Sequence, residues 1–254
     1  MPDLKTTLKL VRNLLEKRHA RRKQGCFVVE GPHLVEEAAN LLKFVIYCEN
    51  LPLVKKLEES GIPGYKISRK QFADLSQVES HQGILGVVKM LDWQFQNLLK
   101  EEKTLVVFCI EVQDPGNLGT IVRSADAFGA SGVILSKGTV DLYNPKVVRS
   151  TMGSLFHLPI ISVESIEETI KHFREKNVKI LATAANADKA VNEVSLKGPL
   201  VVLIGNEGAG LPKETLALAD EIVKVPMLGK AESLNVGVCA AVILYEALRQ
   251  RSLN

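Results

Sequence analysis

The residues able to do chemistry in this chain stand where apolar runs break into polar loops. Leu200-Val-Val-Leu-Ile-Gly-Asn-Glu-Gly-Ala-Gly210 begins as a strand and opens into Gly205, Asn206 and Glu207. Val225-Pro-Met-Leu-Gly-Lys-Ala-Glu-Ser-Leu-Asn235 repeats the pattern and ends in Ser233 and Asn235. A third loop, Glu111-Val-Gln-Asp-Pro-Gly-Asn-Leu-Gly-Thr120, carries Asn117, with Arg123 following in the helix it opens. Strand-to-helix loops rich in backbone N–H groups and small polar side chains cup a small ligand at the carboxyl edge of a parallel sheet. The set Asn117, Arg123, Asn206, Glu207, Ser233 and Asn235 can bind polar ligands, orient a hydroxyl and clamp a phosphate. It holds no ordinary general base with a pKa near neutrality, unless burial makes Glu207 one.

Other chemistries lack their residues. Gly205-Asn-Glu-Gly-Ala-Gly210 is G-x-x-G-x-G and not the dinucleotide fingerprint, and no phosphate-cradling G-x-x-x-x-G-K-[ST] occurs. The five histidines avoid the three loops, and there is no G-x-S-x-G, so a histidine-based triad has no support. The four cysteines, Cys26, Cys48, Cys109 and Cys239, lie far apart in or beside apolar segments, which argues for buried reduced thiols and against a metal site. No apolar run approaches the roughly 20 residues of a membrane span. Met1 to Lys9 does not read as a secretory signal, so the expectation is a cytoplasmic protein.

The elements that must position these loops form two groups. Apolar spacing predicts a helix over 4–18, ended by the basic run and Gly25, then strands at 26–30, 44–48, 65–67 and 83–89 with helices between them. This is a small α/β domain over 1–91. Residues 92–103 are polar and read as a linker or connecting helix. From 104 to 254, strands at 105–111, 132–135, 158–162, 178–183, 200–204 and 221–225 alternate with helices. Continuous apolar strands in that alternation mean a mostly parallel sheet covered on both faces. The last helix, from 235, is apolar almost all round, which suggests burial against a second subunit.

Charge is concentrated at the start. Residues 1–24 hold eight Lys and Arg against two carboxylates, whereas the rest of the chain holds 24 against 27. The cluster Lys17, Arg18, Arg21, Arg22 and Lys23 therefore reads either as a solvated helix end or as a contact for a polyanion, most simply nucleic acid.

Three motifs in order carry a family resemblance. Asp114-Pro-Gly-Asn-Leu-Gly-Thr-Ile-Val-Arg123, with Ser124 to Gly129, resembles the first motif of the SpoU (TrmH-type) RNA 2′-O-ribose methyltransferases. Leu203-Ile-Gly-Asn-Glu-Gly-Ala-Gly-Leu211 resembles the second, and Val225 to Val236 the third. Asn144-Pro-Lys-Val-Val-Arg-Ser-Thr-Met-Gly-Ser-Leu-Phe156 matches the family's segment between them. Phe27-Val-Val-Glu-Gly-Pro-His33 and His81-Gln-Gly83 are similar to the small RNA-binding domain that many members carry.

The resemblance implies an α/β protein: a small N-terminal RNA-binding domain, and a C-terminal parallel-sheet domain with a deep trefoil knot. It implies S-adenosylmethionine as methyl donor, a homodimer, and an active site completed across the subunit interface. By position, Thr183, Gly205, Asn206, Val225, Met227 and Leu234 would hold the cofactor. Asn117, Arg123, Glu207, Ser233 and Asn235 would be the catalytic polar residues, with Arg123 either a general base or a clamp on the phosphate beside the target ribose. Lys17, Arg18, Arg21, Arg22, Lys23 and Gln82 would meet RNA, and no metal is implied. Ribosomal RNA is the favoured substrate, on the analogy that members with a separate N-terminal domain act there. The alternatives are a transfer-RNA ribose methyltransferase and a non-catalytic RNA-binding protein on the same fold. Taken singly, Asn117, Ser233 and Asn235 also read as helix caps, Glu207 as a helix-terminal carboxylate and His81–Gln82 as a plain turn. The joint occurrence of the three motifs favours the functional reading.

Overall fold

Asp3 accepts the Thr6 N–H at 3.0 Å and so caps the first helix, satisfying one of the donors a helix start leaves open. The computed structural model describes residues 3–252. Helix α1 (Leu4–Glu16) ends at Lys17, whose backbone is extended, and the basic run does not stop helix formation as expected. It forms its own short helix, α2 (Arg18–Gln24), closed by Gly25 in the left-handed region at φ 58°. The elements β1 (Cys26–Glu30), α3 (Pro32–Glu37), β2 (Leu42–Tyr47), α4 (Pro52–Glu59), β3 (Gly64–Lys66), α5 (Arg69–Ala73) and β4 (Ile84–Lys89) follow. The sheet order is β1-β4-β2-β3, with β4 antiparallel to both neighbours and β3 parallel to β2. Val11 and Leu14 of α1 and Phe72 of α5 pack with Val28, Ile46 and Leu85 in one buried cluster.

A second sheet holds β5 (Leu105–Cys109), β6 (Gly132–Ser136), β7 (Ile160–Val163), β8 (Lys179–Thr183), β9 (Lys189–Ala190), β10 (Leu200–Ile204) and β11 (Glu221–Lys224). Between them in the chain lie α6 (Pro115–Ala127), α7 (Pro145–Ser150), α8 (Ile166–Glu175) and α9 (Lys213–Leu216), and α10 (Val236–Ser252) follows β11. The order is β7-β6-β5-β10-β8-β11-β9, and every pairing is parallel. The fully buried strands β5, β6 and β10 are the near-continuous apolar runs that a sheet covered on both faces requires.

Two compact units result, and their boundaries differ from the sequence reading in two places. The first unit runs to Asp92 and also includes Asp141–Phe156; the second comprises Trp93–Val140 and the chain from His157 onward. Residues 92–103, read as a linker, contain Leu98, fully buried in the second unit's core with Phe95 and Leu99 packed beside it. Three apolar side chains in a polar stretch give no periodic signal. The segment holding α7, read as a crossover helix of the parallel sheet, belongs to the first unit instead. There Asp141 accepts from Arg21 Nε at 2.9 Å and Nη2 at 2.6 Å, and Tyr143 packs its ring 4.6 Å from Phe27.

Arg21 also donates to the carbonyls of Leu14 and Leu15 at the end of α1, at 2.7 and 3.2 Å. Its side chain is 4% exposed. Its expected place in an RNA-binding surface is therefore corrected: the guanidinium is an internal tie between α1, α2 and Asp141. Removing one partner of a buried pair strands the other charge, so Asp141→Ala is expected to destabilise the protein by about 3–5 kcal/mol. Urea unfolding of the full chain measures this, and a loss under about 1 kcal/mol would show that water replaces the carboxylate.

Candidate active site

The strands β5, β10, β8 and β11 are neighbours in the sheet, so the loops leaving their carboxyl ends meet at one edge. These loops, with the strand and helix ends beside them, hold every catalytic and cofactor residue expected from sequence except Arg123. β10 ends at Ile204, and the chain then reverses: Asn206 and Gly210 exchange backbone hydrogen bonds at 3.1 and 3.0 Å. Gly205 is obligatory for that reversal, because a Cβ there would lie 2.4 Å from the Gly210 carbonyl carbon. The Asn206 side chain closes the loop on itself, accepting from the Gly208 and Ala209 N–H groups at 2.9 and 3.0 Å. Its amide also donates to the Glu111 carbonyl at 2.9 Å, tying the β10 loop to the β5 loop.

Glu207 completes that tie. Its carboxylate accepts the N–H groups of Gln113 and Asp114 at 3.1 and 3.0 Å and the Asn117 side-chain amide at 3.0 Å. Asn117 in turn accepts the Asn235 side-chain amide at 2.8 Å. Asn235 caps α10, accepting from Gly237 and Val238 N–H at 2.9 and 3.2 Å. The capping role considered for Asn235 is therefore real, and it coexists with the link to Asn117. Asn117 itself is not a cap; Asp114 caps α6, accepting the Asn117 N–H at 2.9 Å. Three polar residues from three loops thus form one connected chain.

A cavity of about 360 Å³ lies beside this chain. Thr183, Gly205, Asn206, Glu207, Val225, Met227, Ser233 and Leu234 border it. Thr183 is held by its hydroxyl donating to the Leu203 carbonyl at 3.0 Å. Leu211, Leu216, Val236 and Cys239 also line it and escape the sequence reading, because an apolar lining residue looks like any core residue. Asn186 lines it as well; one polar residue among Ala184, Ala185 and Ala187 is the available signal. Arg123 is apart from this group: it lies exposed on α6. Lys17, Arg18, Arg22, Lys23 and Gln82 are exposed on the first unit.

The cavity suits a compact ligand with an apolar body and a few polar groups. Its wall combines aliphatic residues such as Leu211, Leu216, Val223 and Leu234 with the 205–210 loop. That combination fits a nucleoside carrying a thioether or sulfonium chain. Among the described residues no cluster of His, Cys, Asp and Glu could hold a metal ion.

A family model described as the SpoU rRNA Methylase family matches residues 104–245. The chain belongs to this family. A second model, an MRM3-like substrate binding domain, matches residues 5–86. The chain is 35% identical over 234 residues to the 23S rRNA (guanosine(2553)-2'-O)-methyltransferase RlmP of Bacillus subtilis, covering 91% of this chain and 92% of that one. It superposes on the SpoU methyltransferase AviRb of Streptomyces viridochromogenes in complex with AdoMet, with a TM-score of 0.90, 30% identity and full coverage of both chains. An AdoMet-bound rRNA methyltransferase from Sinorhizobium meliloti gives a TM-score of 0.88 at 31% identity, with 98% of this chain and 97% of that one covered.

Glu207 is the anionic end of this hydrogen-bonded chain. Burial pushes its pKa up, but hydrogen bonds from Asn117, Asp114, its own N–H and Gln113 outweigh burial and hold it below the ordinary 4.5. A depressed folded-state pKa stabilises the fold above the unfolded value, and that contribution is lost as pH falls through the folded value. Wild type should therefore exceed Glu207→Gln in stability by the widest margin near neutrality, with the gap closing below pH 4.5. Denaturation midpoints across that range test this; a gap independent of pH would show that ionisation is irrelevant. Gly237 supplies a second test. A Cβ there would lie 2.9 Å from Thr120 Cγ2 on α6, so Gly237→Ala should push α10 off α6, part Asn117 from Asn235 and lower activity at least tenfold. Unchanged activity would show that the link is dispensable.

Proposed function

We propose that this protein transfers a methyl group from S-adenosylmethionine to a ribose 2′-hydroxyl of ribosomal RNA. The observation that carries the reading is the hydrogen-bonded Glu207–Asn117–Asn235 chain beside a nucleoside-sized cavity, built from the three family motifs. The cofactor supplies an electrophilic methyl on a sulfonium. The reaction is an in-line displacement, so the protein's work is placing the 2′-oxygen and the methyl carbon against each other. Thr183, Gly205, Asn206, Val225, Met227 and Leu234 hold the cofactor, Gly205 and Asn206 through the shape their loop imposes. Ser233 and the amide groups of Asn117 and Asn235 orient the ribose side.

The 2′-hydroxyl must lose its proton as its oxygen attacks. Glu207 is a poor acceptor, because its carboxylate already takes three hydrogen bonds and its pKa is depressed. A guanidinium resists deprotonation, so Arg123 acts as a clamp on the adjacent phosphate; its positive charge lowers the hydroxyl pKa, and the released proton passes to solvent water. Its exposure, and its absence from the cavity lining, suit a residue that works at a site shared with a second subunit. α10 supports that dimer: Val238, Val242, Tyr245 and Leu248 form an apolar stripe 36–55% exposed. Pairing of β10 with both β5 and β8, with α10 on α6, supports the trefoil knot expected of the family. The first unit, with Lys17, Arg18, Arg22, Lys23 and Gln82 exposed, would bind the RNA, and the unpaired cysteines suit the cytoplasm.

Transfer of labelled methyl from S-adenosylmethionine to unmodified ribosomal RNA, with transfer RNA alongside, tests the proposal. Ribose-specific labelling of ribosomal RNA is expected, reduced at least 100-fold in Arg123→Ala. Labelling of transfer RNA alone would overturn the substrate. For the dimer, Val242→Glu is expected to give a monomer by sedimentation. Mixed dimers of Arg123→Ala and Ser233→Ala subunits should regain activity only if each site draws on both chains.

A further inference from the structure

Another cavity lies on the first unit, far in sequence from the three loops. It is a groove of about 820 Å³ lined by α1 and by the region of α5, with Leu4, Leu8 and Leu75 presenting its apolar surface. Lys5, Lys9 and Arg12, at i, i+4 and i+7 on α1, stand along it with Lys17. Among the described residues none of these four cations is in an ion pair. Polar side chains, Asn13, Gln71 and Asp74, also line it. Gln71 uses its Oε1 on Ser68, which leaves its amide hydrogens to donate elsewhere.

We propose that this groove is a second RNA subsite, taking an unpaired nucleotide of the substrate that lies away from the methylated ribose. The inference rests on the proposed RNA substrate. Three observations select this occupant. The unpaired cations line the groove and outnumber its carboxylates, Glu16 and Asp74, so they can meet a sugar–phosphate backbone. The floor is apolar but lined by no aromatic ring, so a base would lie against leucine side chains, with the guanidinium of Arg12, another lining residue, available to stack on it. Asn13, Gln71 and Asp74 then supply an acceptor and donors for a base edge, with Asp74 selecting an exocyclic amine. A docked protein helix needs a continuous apolar track, and here three leucines are interrupted by those polar groups. The volume lies within the roughly 300–1,000 Å³ of sites for small guests. Duplex RNA needs no such floor, so the guest is single-stranded.

The subsite makes α1 a reader of the region flanking the target, and it meets the basic cluster of α2 only at Lys17. Lys9→Glu/Arg12→Glu changes two exposed positions and is expected to raise KM for RNA at least tenfold. The salt dependence of RNA binding should weaken by about 1.4 in log–log slope, about 0.7 for each lost phosphate contact on a single strand. Lys55→Glu, an exposed charge reversal on α4, is the control and should leave KM unchanged. Short single-stranded RNA bearing 4-thiouridine should cross-link to peptides from α1 and the α5 region, and not in the double variant. If wild type methylates RNA but the double variant has an unchanged KM and no cross-link maps to these peptides, the subsite is wrong and the methyltransferase stands. If wild type methylates no RNA yet the thiouridine cross-links map to the groove, the activity fails and the RNA subsite stands. Cross-links confined to the Arg18–Lys23 region would also overturn it.

Discussion

A side-chain amide donates at one end and accepts at the other, and the site depends on two amides aligned in series. The α10 N–H groups of Gly237 and Val238 donate to Asn235, Asn235 donates to Asn117, and Asn117 donates to Glu207. The direction cannot be reversed, because the helix start offers only donors and the carboxylate accepts. Asn235 must therefore turn its oxygen toward α10, and Asn117 must turn its oxygen toward Asn235. Once those faces are set, the three loops from β5, β10 and β11 have one mutual arrangement. Glu207 closes the far end on the Gln113 and Asp114 N–H groups just before α6, where the positive helix end favours a carboxylate.

The parallel sheet makes this possible. β10 lies between β5 and β8, so a loop leaving its carboxyl end has loops of two other strands beside it. Asn206 reaches one of them and Thr183 approaches from the other side. Close packing then constrains the helices: α10 can approach α6 only because residue 237 has no side chain to meet Thr120. The cavity that we assign to the cofactor is what remains between the reversed 205–210 loop and the apolar start of α10.

The first unit shows a different use of charge. Six net positive charges in the first 24 residues look like one basic surface in sequence, but folding divides them. Arg21 turns inward and holds α1, α2 and Asp141 together, while Lys5, Lys9 and Arg12 line a groove on another face. The segment supplying Asp141 is drawn from between two strands of the second unit. The first unit's stability therefore depends on residues that follow it by about fifty positions.

Much of the architecture is legible in the amino-acid sequence. Apolar runs such as Leu105–Cys109 and Leu200–Ile204, short and rich in β-branched residues, read as strands buried on both faces, and their alternation with helices points to a parallel sheet. Local chemistry also decides the loops, since Gly205 and Asn206 specify a tight reversal wherever it stands. Contacts between distant segments are not legible. Arg21 and Asp141 are 120 residues apart, and an arginine in a basic run carries no mark of burial. Neighbours in sequence misplace Leu98 and the α7 segment, whose positions follow from which apolar surfaces they cover. The three motifs single out Asn117, Glu207 and Asn235. Only tertiary structure decides that they touch, because hydrogen-bond direction is a property of atoms in space and leaves no periodicity in the chain.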